Sequence, residues 1–312
     1  MALPTERHGT NWPQINHARC YVRNLSVGPF PAQNDAVNFI ANSLRLTSAL
    51  GGKNLVCRAL PRLPEFITGF ETIVTYRGLR FRVHTGEETG RRMFYYNQYE
   101  RLQEDVFLDL LRPNALVFDI GANMGLFSLL AASRGAQVIS LEPSRLLASM
   151  FQQNVELNGV ANIRLIGEAV SDRSGSICFY ETRFGNCGVG RVFEFGHSQN
   201  ASPSYTVPTN TLDFYVSRLG MPSLVKMDIE GAEWLALNGA EETLEREDAP
   251  DFLIEFHPQE IQALSGSMES CLQKLAGCGF QRYRLSDAEV GSHTWFVFSK
   301  RSLRSARLVL DC

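Results

Sequence analysis

From Leu116 onward, the sequence alternates short apolar segments with longer segments of helical periodicity. Residues 116–120, 137–141, 162–166 and 224–229 have the composition of buried strands, and amphipathic helical stretches separate them. Such alternation builds right-handed βαβ units, because a strand can run parallel to the preceding one only after a crossover connection. The sequence therefore predicts an α/β fold with a largely parallel sheet and helices on both of its faces.

The region before this alternation is organised differently. Residues 36–50 carry modest helical periodicity. Residues 72–83 alternate apolar and polar side chains around an Arg-Gly turn, which predicts a β-hairpin. We therefore predict an N-terminal helical and hairpin extension at 1–94, a main domain at 95–300, and a basic, solvated tail at 301–312.

Two later segments complete the expected organisation. Residues 183–204 hold four glycines within mixed polar sequence, which predicts a mobile loop. Residues 280–285 and 294–298 alternate apolar and polar positions, so a terminal antiparallel pair is expected there. The main domain is thus predicted to end in strands rather than in a helix.

Composition and charge exclude several classes of protein. Hydrophobic residues make up 44% and charged residues 20% of the 312 residues, as in a folded globular protein rather than a disordered one. The net charge of -3 provides no overall positive field for nucleic acid or an anionic membrane, so neither is expected as a partner. The seven cysteines lack C-x-x-C spacing, and no signal peptide or membrane-spanning run is found, so we expect a cytoplasmic protein with reduced thiols. None of these features indicates an oligomeric state.

The bend after the first strand has the residues of a nucleotide site. The stretch 119–125, DIGANMG, has two glycines that permit close approach of a ligand to the backbone, and Asn123 tolerates a positive φ. Glu142 ends the second strand about 20 positions after Gly121, the spacing of a carboxylate that accepts hydrogen bonds from ribose hydroxyls. Asn123 stands where a dinucleotide-binding bend needs its second glycine, and the carboxylate of Asp119 suits a cationic ligand such as the ammonium of a methionine moiety. Both observations favour S-adenosylmethionine over NAD.

A second group of chemically active side chains lies at the ends of two later strands. Asp228 lies near the end of the strand at 224–229 and Glu230 directly after it, and on extended backbone two positions apart they would point to one side. His257 follows the strand at 251–256. Since ligands bind outside the carboxyl ends of parallel strands, we expect these three residues to be catalytic, with Asp228 or His257 accepting a proton. The same three side chains could instead hold Mg²⁺, although their spacing does not require a metal.

These motifs, in this order, resemble the FkbM family of S-adenosylmethionine-dependent methyltransferases. The resemblance rests on DIGANMG, the Glu142-Pro143 pair, the Thr211-Leu212-Asp213 triplet and KMDIEGAE at 226–233, and it covers about residues 95–300. It implies a Rossmann-like, seven-stranded, mostly parallel sheet of the class I methyltransferase fold, whose last strand is antiparallel.

The resemblance also implies a cofactor and an acceptor. S-adenosylmethionine would donate the methyl group, and the acceptor would be a hydroxyl of a glycan, a macrolide or a similar small metabolite. The residues implied at the cofactor site are Gly121, Asn123, Gly125 and Glu142, with Ala169 and Val170 near the adenine.

The expected mechanism is direct displacement, in which an acceptor oxygen attacks the sulfonium methyl group in line and S-adenosylhomocysteine leaves. Orientation of the reactants contributes most of the acceleration, and a base adds a factor on the order of 10² to 10⁴. Two other classes of function remain open from the residues alone. One is a non-catalytic domain that binds a nucleoside or a glycan, and the other is an NAD-dependent oxidoreductase, which the position of Glu142 also permits.

Overall fold

The computed structural model describes residues 69–180, 191–193, 204–286 and 294–311. The helix predicted at 36–50 lies outside these residues, as does most of the glycine-rich segment predicted to be a mobile loop. The strands are β1 Glu71–Tyr76, β2 Leu79–His84, β3 Leu116–Ile120, β4 Gln137–Leu141, β5 Ile163–Ile166, β6 Ala169–Val170, β7 Gly175–Tyr180, β8 Arg191–Phe193, β9 Ser204–Asn210, β10 Leu224–Met227, β11 Asp251–Phe256, β12 Gln281–Leu285, β13 Thr294–Ser299 and β14 Leu308–Asp311. The helices are α1 Glu88–Arg91, which continues into a π-helical turn Arg92–Tyr96, α2 Arg101–Leu110, α3 Leu126–Ser133, α4 Arg145–Asn158, α5 Leu212–Leu219, α6 Glu233–Asn238, α7 Glu241–Glu245, α8 Pro258–Ala263 and α9 Met268–Gly277.

The main sheet has the predicted mixture of strand directions. Its eight strands lie in the order β14-β12-β13-β11-β10-β3-β4-β5. The five strands from β11 to β5 are parallel, and β13 runs antiparallel to β11. Apart from β14, this is the seven-stranded arrangement of the class I methyltransferase fold, so the predicted α/β fold is confirmed. The strand order reverses between β3 and β10, which is where ligands bind in open α/β sheets.

The apolar composition of the central strands accounts for their burial in the middle of the sheet. All residues of β10 and β11 are buried, as parallel strands covered on both faces require. One apolar cluster joins alternate strand residues to α5, α6 and α9, and a second joins the remaining strand residues to α2 and α3. The sheet is therefore covered by helices on both faces, and its strand ends are left to form a site.

The C-terminal tail contains a strand that was not predicted. The tail at 301–312 is predicted to be solvated, and none of its described residues is buried, but Leu308–Asp311 also form β14, an antiparallel edge strand beside β12. Asp311 forms ion pairs with Arg282 and Arg284 of β12, with N–O distances of 2.8 and 3.0 Å. The tail joins the sheet because its last residues are an apolar run of high strand propensity, which the basic residues before it obscure.

The predicted N-terminal hairpin is confirmed. β1 and β2 pair antiparallel around the two-residue turn Arg77-Gly78. The buried face of the hairpin packs against apolar side chains of α3 and the π-helical turn. Asn154 of α4 accepts a hydrogen bond from the backbone N–H of Arg82 at 2.7 Å, which fastens β2 to the main domain. The domain boundary at residue 94 remains a prediction.

A small second sheet lies beside the main one, with the strand order β6-β9-β7-β8. β9 begins where the glycine-rich segment ends and was not predicted from the sequence. Ala169, Phe179 and Val207 form an apolar cluster within this sheet. The pairing of β6 with β9 places Ala169 and Val170 next to the ends of the parallel strands.

Candidate active site

The bend between β3 and α3 is tied to the neighbouring strand through the backbone. The N–H groups of Gly121 and Ala122 donate to the carbonyl of Leu141 at 2.9 and 3.1 Å. Asn123 has a φ of 53°, which its short polar side chain tolerates. A Cβ on Gly121 would lie 1.8 Å from the carbonyl oxygen of Asp228. Glycine at this position therefore allows the ends of β3 and β10 to meet.

Gly125 has a packing role in the same bend. It precedes α3 with a φ of 93°, and a Cβ there would lie 2.9 Å from the ring of Phe151 in α4. Gly125 does not line the cleft that the bend borders. Glycine is therefore needed at this position because the ring of Phe151 occupies the space that a Cβ would fill, and not because a ligand approaches the backbone.

We expect Gly125→Ala to destabilise the protein more than Gly135→Ala does. Both glycines have a positive φ, which costs an alanine roughly 1–2 kcal/mol. The missing Cβ of Gly135 faces open space, whereas that of Gly125 faces Phe151, and such overpacking adds roughly 1–3 kcal/mol. Urea denaturation of the two variants measures the difference in unfolding free energy. Equal losses would show that Phe151 moves aside without cost.

Glu142 connects the bend to the end of β4. Its side chain is buried, and its two carboxylate oxygens accept hydrogen bonds from the backbone N–H groups of Asn123 and Ser144, both at 2.8 Å. Burial raises the pKa of Glu142 to about 7, although these two N–H groups oppose the shift. Each carboxylate oxygen retains a second lone pair, so Glu142 can shape the bend and accept hydrogen bonds from a ligand.

The raised pKa of Glu142 predicts a pH dependence of stability. The carboxyl of Glu142 loses its proton at a pH of about 7 in the folded chain and at a pH near 4.5 in the unfolded chain. Between these two pH values the folded state therefore binds more protons than the unfolded state. The free energy of unfolding contributed by the protonated carboxyl is therefore lost as the pH rises through this interval. The total loss is on the order of 3 kcal/mol. Chemical denaturation from about pH 5 to about pH 8 measures the slope, which should be flatter in Glu142→Gln because the amide does not titrate. Identical slopes in the two proteins would contradict the shift.

The side of the cleft next to β5 combines apolar surface with one carboxylate. Ala169 and Val170 line it and are buried. Glu168 also lines it, and its Oε2 accepts hydrogen bonds from the Asn210 side-chain amide at 2.8 Å and the Tyr215 hydroxyl at 2.6 Å. The sequence analysis overlooked Glu168. The signal for it is a carboxylate two residues after a parallel strand, close to the position that Glu142 has after the second strand.

The KMDIEGAE motif forms a tight turn after β10. Glu230 has a φ of 54°, which is uncommon for a residue other than glycine or asparagine. The buried carboxylate of Glu233 accepts hydrogen bonds from the backbone N–H groups of Ile229 at 3.2 Å and Gly231 at 3.1 Å. Glu233 thereby holds the turn in the conformation that places Asp228 and Glu230 on the cleft wall.

His257 follows β11 and is surrounded by carboxylates. Its Nδ1 lies 3.1 Å from Glu233, and its Nε2 lies 3.5 Å from Glu230 and 3.9 Å from Asp228. Burial lowers the pKa of His257, but these carboxylates outweigh that effect and raise it to about 10. The imidazole is therefore protonated near neutral pH, and the role of proton acceptor that the sequence allowed for it is not supported.

Further carboxylates make this end of the site strongly acidic. Burial, and next the charge of Asp228, raises the pKa of Glu255 to about 9 and that of Glu100 to about 8. Among the described residues, Asp228, Glu255 and His257 place ligand atoms within 4.8 Å of one another. Glu230, which was predicted with Asp228 and His257 as an alternative Mg²⁺ set, is not a member of this group, and Glu255 takes its place. The concentration of negative charge suits a ligand that carries positive charge.

Asp119 is buried together with Lys226 rather than turned toward the cleft. The Nζ of Lys226 lies 3.8 Å from Asp119 and donates hydrogen bonds to the carbonyl of Gly121 at 2.9 Å and the carboxylate of Asp228 at 3.3 Å. The hydroxyl of Ser128 donates to Asp119 at 2.5 Å. The predicted contact of Asp119 with the ammonium of a ligand is not supported, because a lysine of the chain itself supplies the positive charge.

These elements border a cleft at the carboxyl ends of β3, β4 and β10. A ligand site is expected at this edge of an open parallel sheet. The residues predicted from the sequence that line it are Gly121, Asn123, Glu142, Ala169, Val170, Asp228 and Glu230. Those that do not line it are Asp119, Gly125 and His257. Lining residues that the sequence analysis did not predict include Pro143, Glu168 and Phe179.

A family model described as the methyltransferase FkbM domain matches residues 119–282, just over half of the chain. The chain belongs to the FkbM methyltransferase family. The matched residues include the bend, Glu142 and the KMDIEGAE turn, so the resemblance seen in the motifs is confirmed.

The proteins to which this FkbM chain is similar carry the names of different methyltransferases. A putative ribosomal RNA large subunit methyltransferase of Methanocaldococcus jannaschii is 32% identical over 117 residues, which cover 36% of this chain and 29% of that protein. The 2-O-methyltransferase NoeI of Sinorhizobium fredii is 30% identical over 154 residues, which cover 43% of this chain and 61% of that protein. A structure of the Pyrococcus abyssi tRNA (uracil-54, C5)-methyltransferase with S-adenosylhomocysteine has a TM-score of 0.39 and 14% identity, covering 73% of this chain and 43% of that chain. The chain thus matches less than two thirds of the length of each of these proteins.

Membership of the FkbM family decides between the cofactors that the residues left open. S-adenosylmethionine is the cofactor of a methyltransferase of this fold, so the NAD-dependent oxidoreductase is no longer a candidate. Because the relatives include RNA methyltransferases as well as a 2-O-methyltransferase, the family leaves the acceptor open. Within the part of the chain that the structure describes, no helix is both long and apolar enough to cross a membrane.

Proposed function

We propose that this protein is an S-adenosylmethionine-dependent O-methyltransferase that methylates a hydroxyl of a glycan or a small secondary metabolite by direct in-line displacement. The observation that carries the proposal is that one cleft joins a nucleoside-type bend, with Glu142, to an acidic turn, with Asp228. Transfer to a hydroxyl needs a group that accepts its proton, and a carboxylate beside the cofactor supplies one. The 2-O-methyltransferase activity named for NoeI supports a hydroxyl acceptor.

The residues present fit the cofactor. Glu142 offers hydrogen-bond acceptors for ribose hydroxyls, and Ala169 and Val170 offer apolar surface for an adenine ring. Glu168 offers an acceptor for an exocyclic amine. The acidic end of the cleft balances positive charge on a methionine moiety. When bound, S-adenosylmethionine supplies a methyl group activated by attachment to a sulfonium.

Asp228 is the residue that we assign to accept the proton. It lines the cleft with a side chain 25% exposed, whereas His257 is 1% exposed and does not line the cleft. Lys226 approaches one oxygen of Asp228 at 3.3 Å, and His257 approaches the other at 3.9 Å. His257 is therefore a positioning residue, and Glu230 lies beside Asp228 on the cleft wall.

The charge of the site favours a neutral, hydroxyl-rich acceptor over RNA. Asp228 and Glu230 can accept hydrogen bonds from sugar-type hydroxyls, whereas the same carboxylates repel phosphates. The net charge of -3 gives no compensating attraction for a nucleic acid backbone. We therefore propose glycans and small metabolites as partners, without nucleic acid or membrane.

Transfer of labelled methyl groups tests the proposal. The full chain is incubated with methyl-labelled S-adenosylmethionine and, in separate reactions, an oligosaccharide pool, a small-metabolite extract or total RNA, each with and without EDTA. We expect label on oxygen in the oligosaccharide or metabolite reaction, identified as a methyl ether by mass spectrometry. Label on RNA, nitrogen or carbon would overturn the proposed acceptor, and cofactor binding without any transfer would favour a non-catalytic domain. Transfer that EDTA abolishes would assign Asp228, Glu255 and His257 to a cation instead.

A further inference from the structure

Lys226 is a buried cation that does not line the cleft but contacts two residues that do. It is 2% exposed and stands in β10 between Val225 and Met227, which are fully buried. Burying an ammonium costs free energy unless hydrogen bonds and opposite charges compensate it. The role of Lys226 can therefore be inferred from the groups that its ammonium contacts.

One ammonium group joins three parts of the site. Its Nζ donates to the carbonyl oxygen of Gly121 at 2.9 Å and to Oδ2 of Asp228 at 3.3 Å. The same atom lies 3.8 Å from Oδ1 of Asp119 and 5.2 Å from the centre of the Phe127 ring. The side chain thus links the end of β3, the cofactor bend and the carboxylate at the end of β10.

We propose that Lys226 is a positioning residue for methyl transfer, whose ammonium holds the Gly121 bend and the Asp228 carboxylate in a fixed relation to each other. This inference rests on the proposed function, because it takes the bend as the cofactor side and Asp228 as the proton acceptor. The bend and the carboxylate belong to different strands, and the ammonium hydrogen-bonds directly to both. Misplacement of reacting groups by about 1 Å can cost about a hundred-fold in rate, so such a link matters for turnover.

A purely structural role would be limited to charge compensation. In that case Lys226 would serve only to neutralise the buried carboxylate of Asp119. Removing both charges together would then restore the stability of the protein and its affinity for the cofactor. The positioning role predicts a different result, because the hydrogen bonds to Gly121 and Asp228 would still be missing. The two roles are therefore separated by a double variant.

The test compares Lys226→Met, Asp119→Asn and the combined variant. Lys226→Met alone should lose thermal stability, since it leaves Asp119 buried without its cation. The combined variant should regain the Tm of Asp119→Asn, yet bind S-adenosylmethionine and S-adenosylhomocysteine about 10-fold to 100-fold more weakly in calorimetry. At saturating cofactor, kcat for the acceptor found by methyl transfer should also fall.

A second ion pair, whose carboxylate is buried, provides the control. Arg77→Met with Glu104→Gln removes a pair whose Nε–Oε2 distance is 2.5 Å and which belongs to the hairpin and α2. This control should lose stability and keep wild-type cofactor affinity. Wild-type affinity and turnover in the Lys226→Met, Asp119→Asn protein would overturn the positioning role, as would equal weakening in the control. Failure of the wild-type chain to bind S-adenosylmethionine would instead overturn the proposed function itself.

Discussion

Asp228→Asn is expected to lower kcat, measured at saturating S-adenosylmethionine, by a factor on the order of 10² to 10⁴. The amide keeps the shape of the carboxylate, and its oxygen can still accept the hydrogen bond from Lys226. It cannot take up a proton from an acceptor hydroxyl. Steady-state kinetics with labelled methyl groups measures the loss of turnover, and calorimetry measures cofactor affinity.

Glu168→Gln is the contrasting variant for this experiment. Glu168 also lines the cleft, but on the side next to β5 rather than at the acidic turn. Its substitution should therefore affect cofactor affinity more than kcat. Full turnover in Asp228→Asn, or a loss of turnover explained entirely by weaker cofactor binding, would remove Asp228 from the role of proton acceptor.

Glu142→Ala is expected to weaken the binding of S-adenosylmethionine on the order of a hundred-fold. The substitution removes the acceptor of two backbone N–H groups, from Asn123 and Ser144, along with the hydrogen-bond acceptors for ribose. Hydrogen bonds to a charged group contribute about 1.5–3 kcal/mol each, so loss of the ligand contacts alone accounts for most of the effect. Calorimetric titration with S-adenosylmethionine gives the change in Kd.

Glu104→Ala is the matched control for the loss of a buried glutamate. The carboxylate of Glu104 is also buried, but it accepts a hydrogen bond from Tyr76 in the hairpin at 2.8 Å, away from the cleft lining. We expect Glu104→Ala to lower Tm without changing Kd. If both variants weaken cofactor binding equally, or if Glu142→Ala binds as tightly as the wild type, Glu142 does not hold the nucleoside.

Much of the site was predictable because it depends on short stretches of chain at strand ends. In a parallel sheet, a residue that directly follows a strand lies at the common carboxyl edge. Gly121, Glu142 and Asp228 each follow or end such a strand, so their convergence on one cleft follows from the order of the segments. Glu168 lies two residues after β5, so its place at the same edge of the sheet was also predictable.

The direction of a side chain was not predictable in this way. Asp119 is two residues before Gly121, yet it faces the interior, where Lys226 and Ser128 contact it. Gly125 lies within the bend motif, yet the space in front of it is filled by Phe151 from a helix that starts about 20 residues later. In both cases the deciding neighbour comes from another segment of the chain.

The protonation of His257 depends on tertiary structure for the same reason. From the sequence it is a histidine after a strand, with an ordinary pKa that suits a base. The structure surrounds it with Glu233, Glu230 and Asp228, which raise its pKa to about 10. Local order along the chain thus determined the α/β fold, the FkbM motifs and the edge of the sheet at which the site forms. Only the packed structure decided which of those residues face the cleft and which carry a proton, because burial and charge depend on distances between segments that are far apart in the sequence.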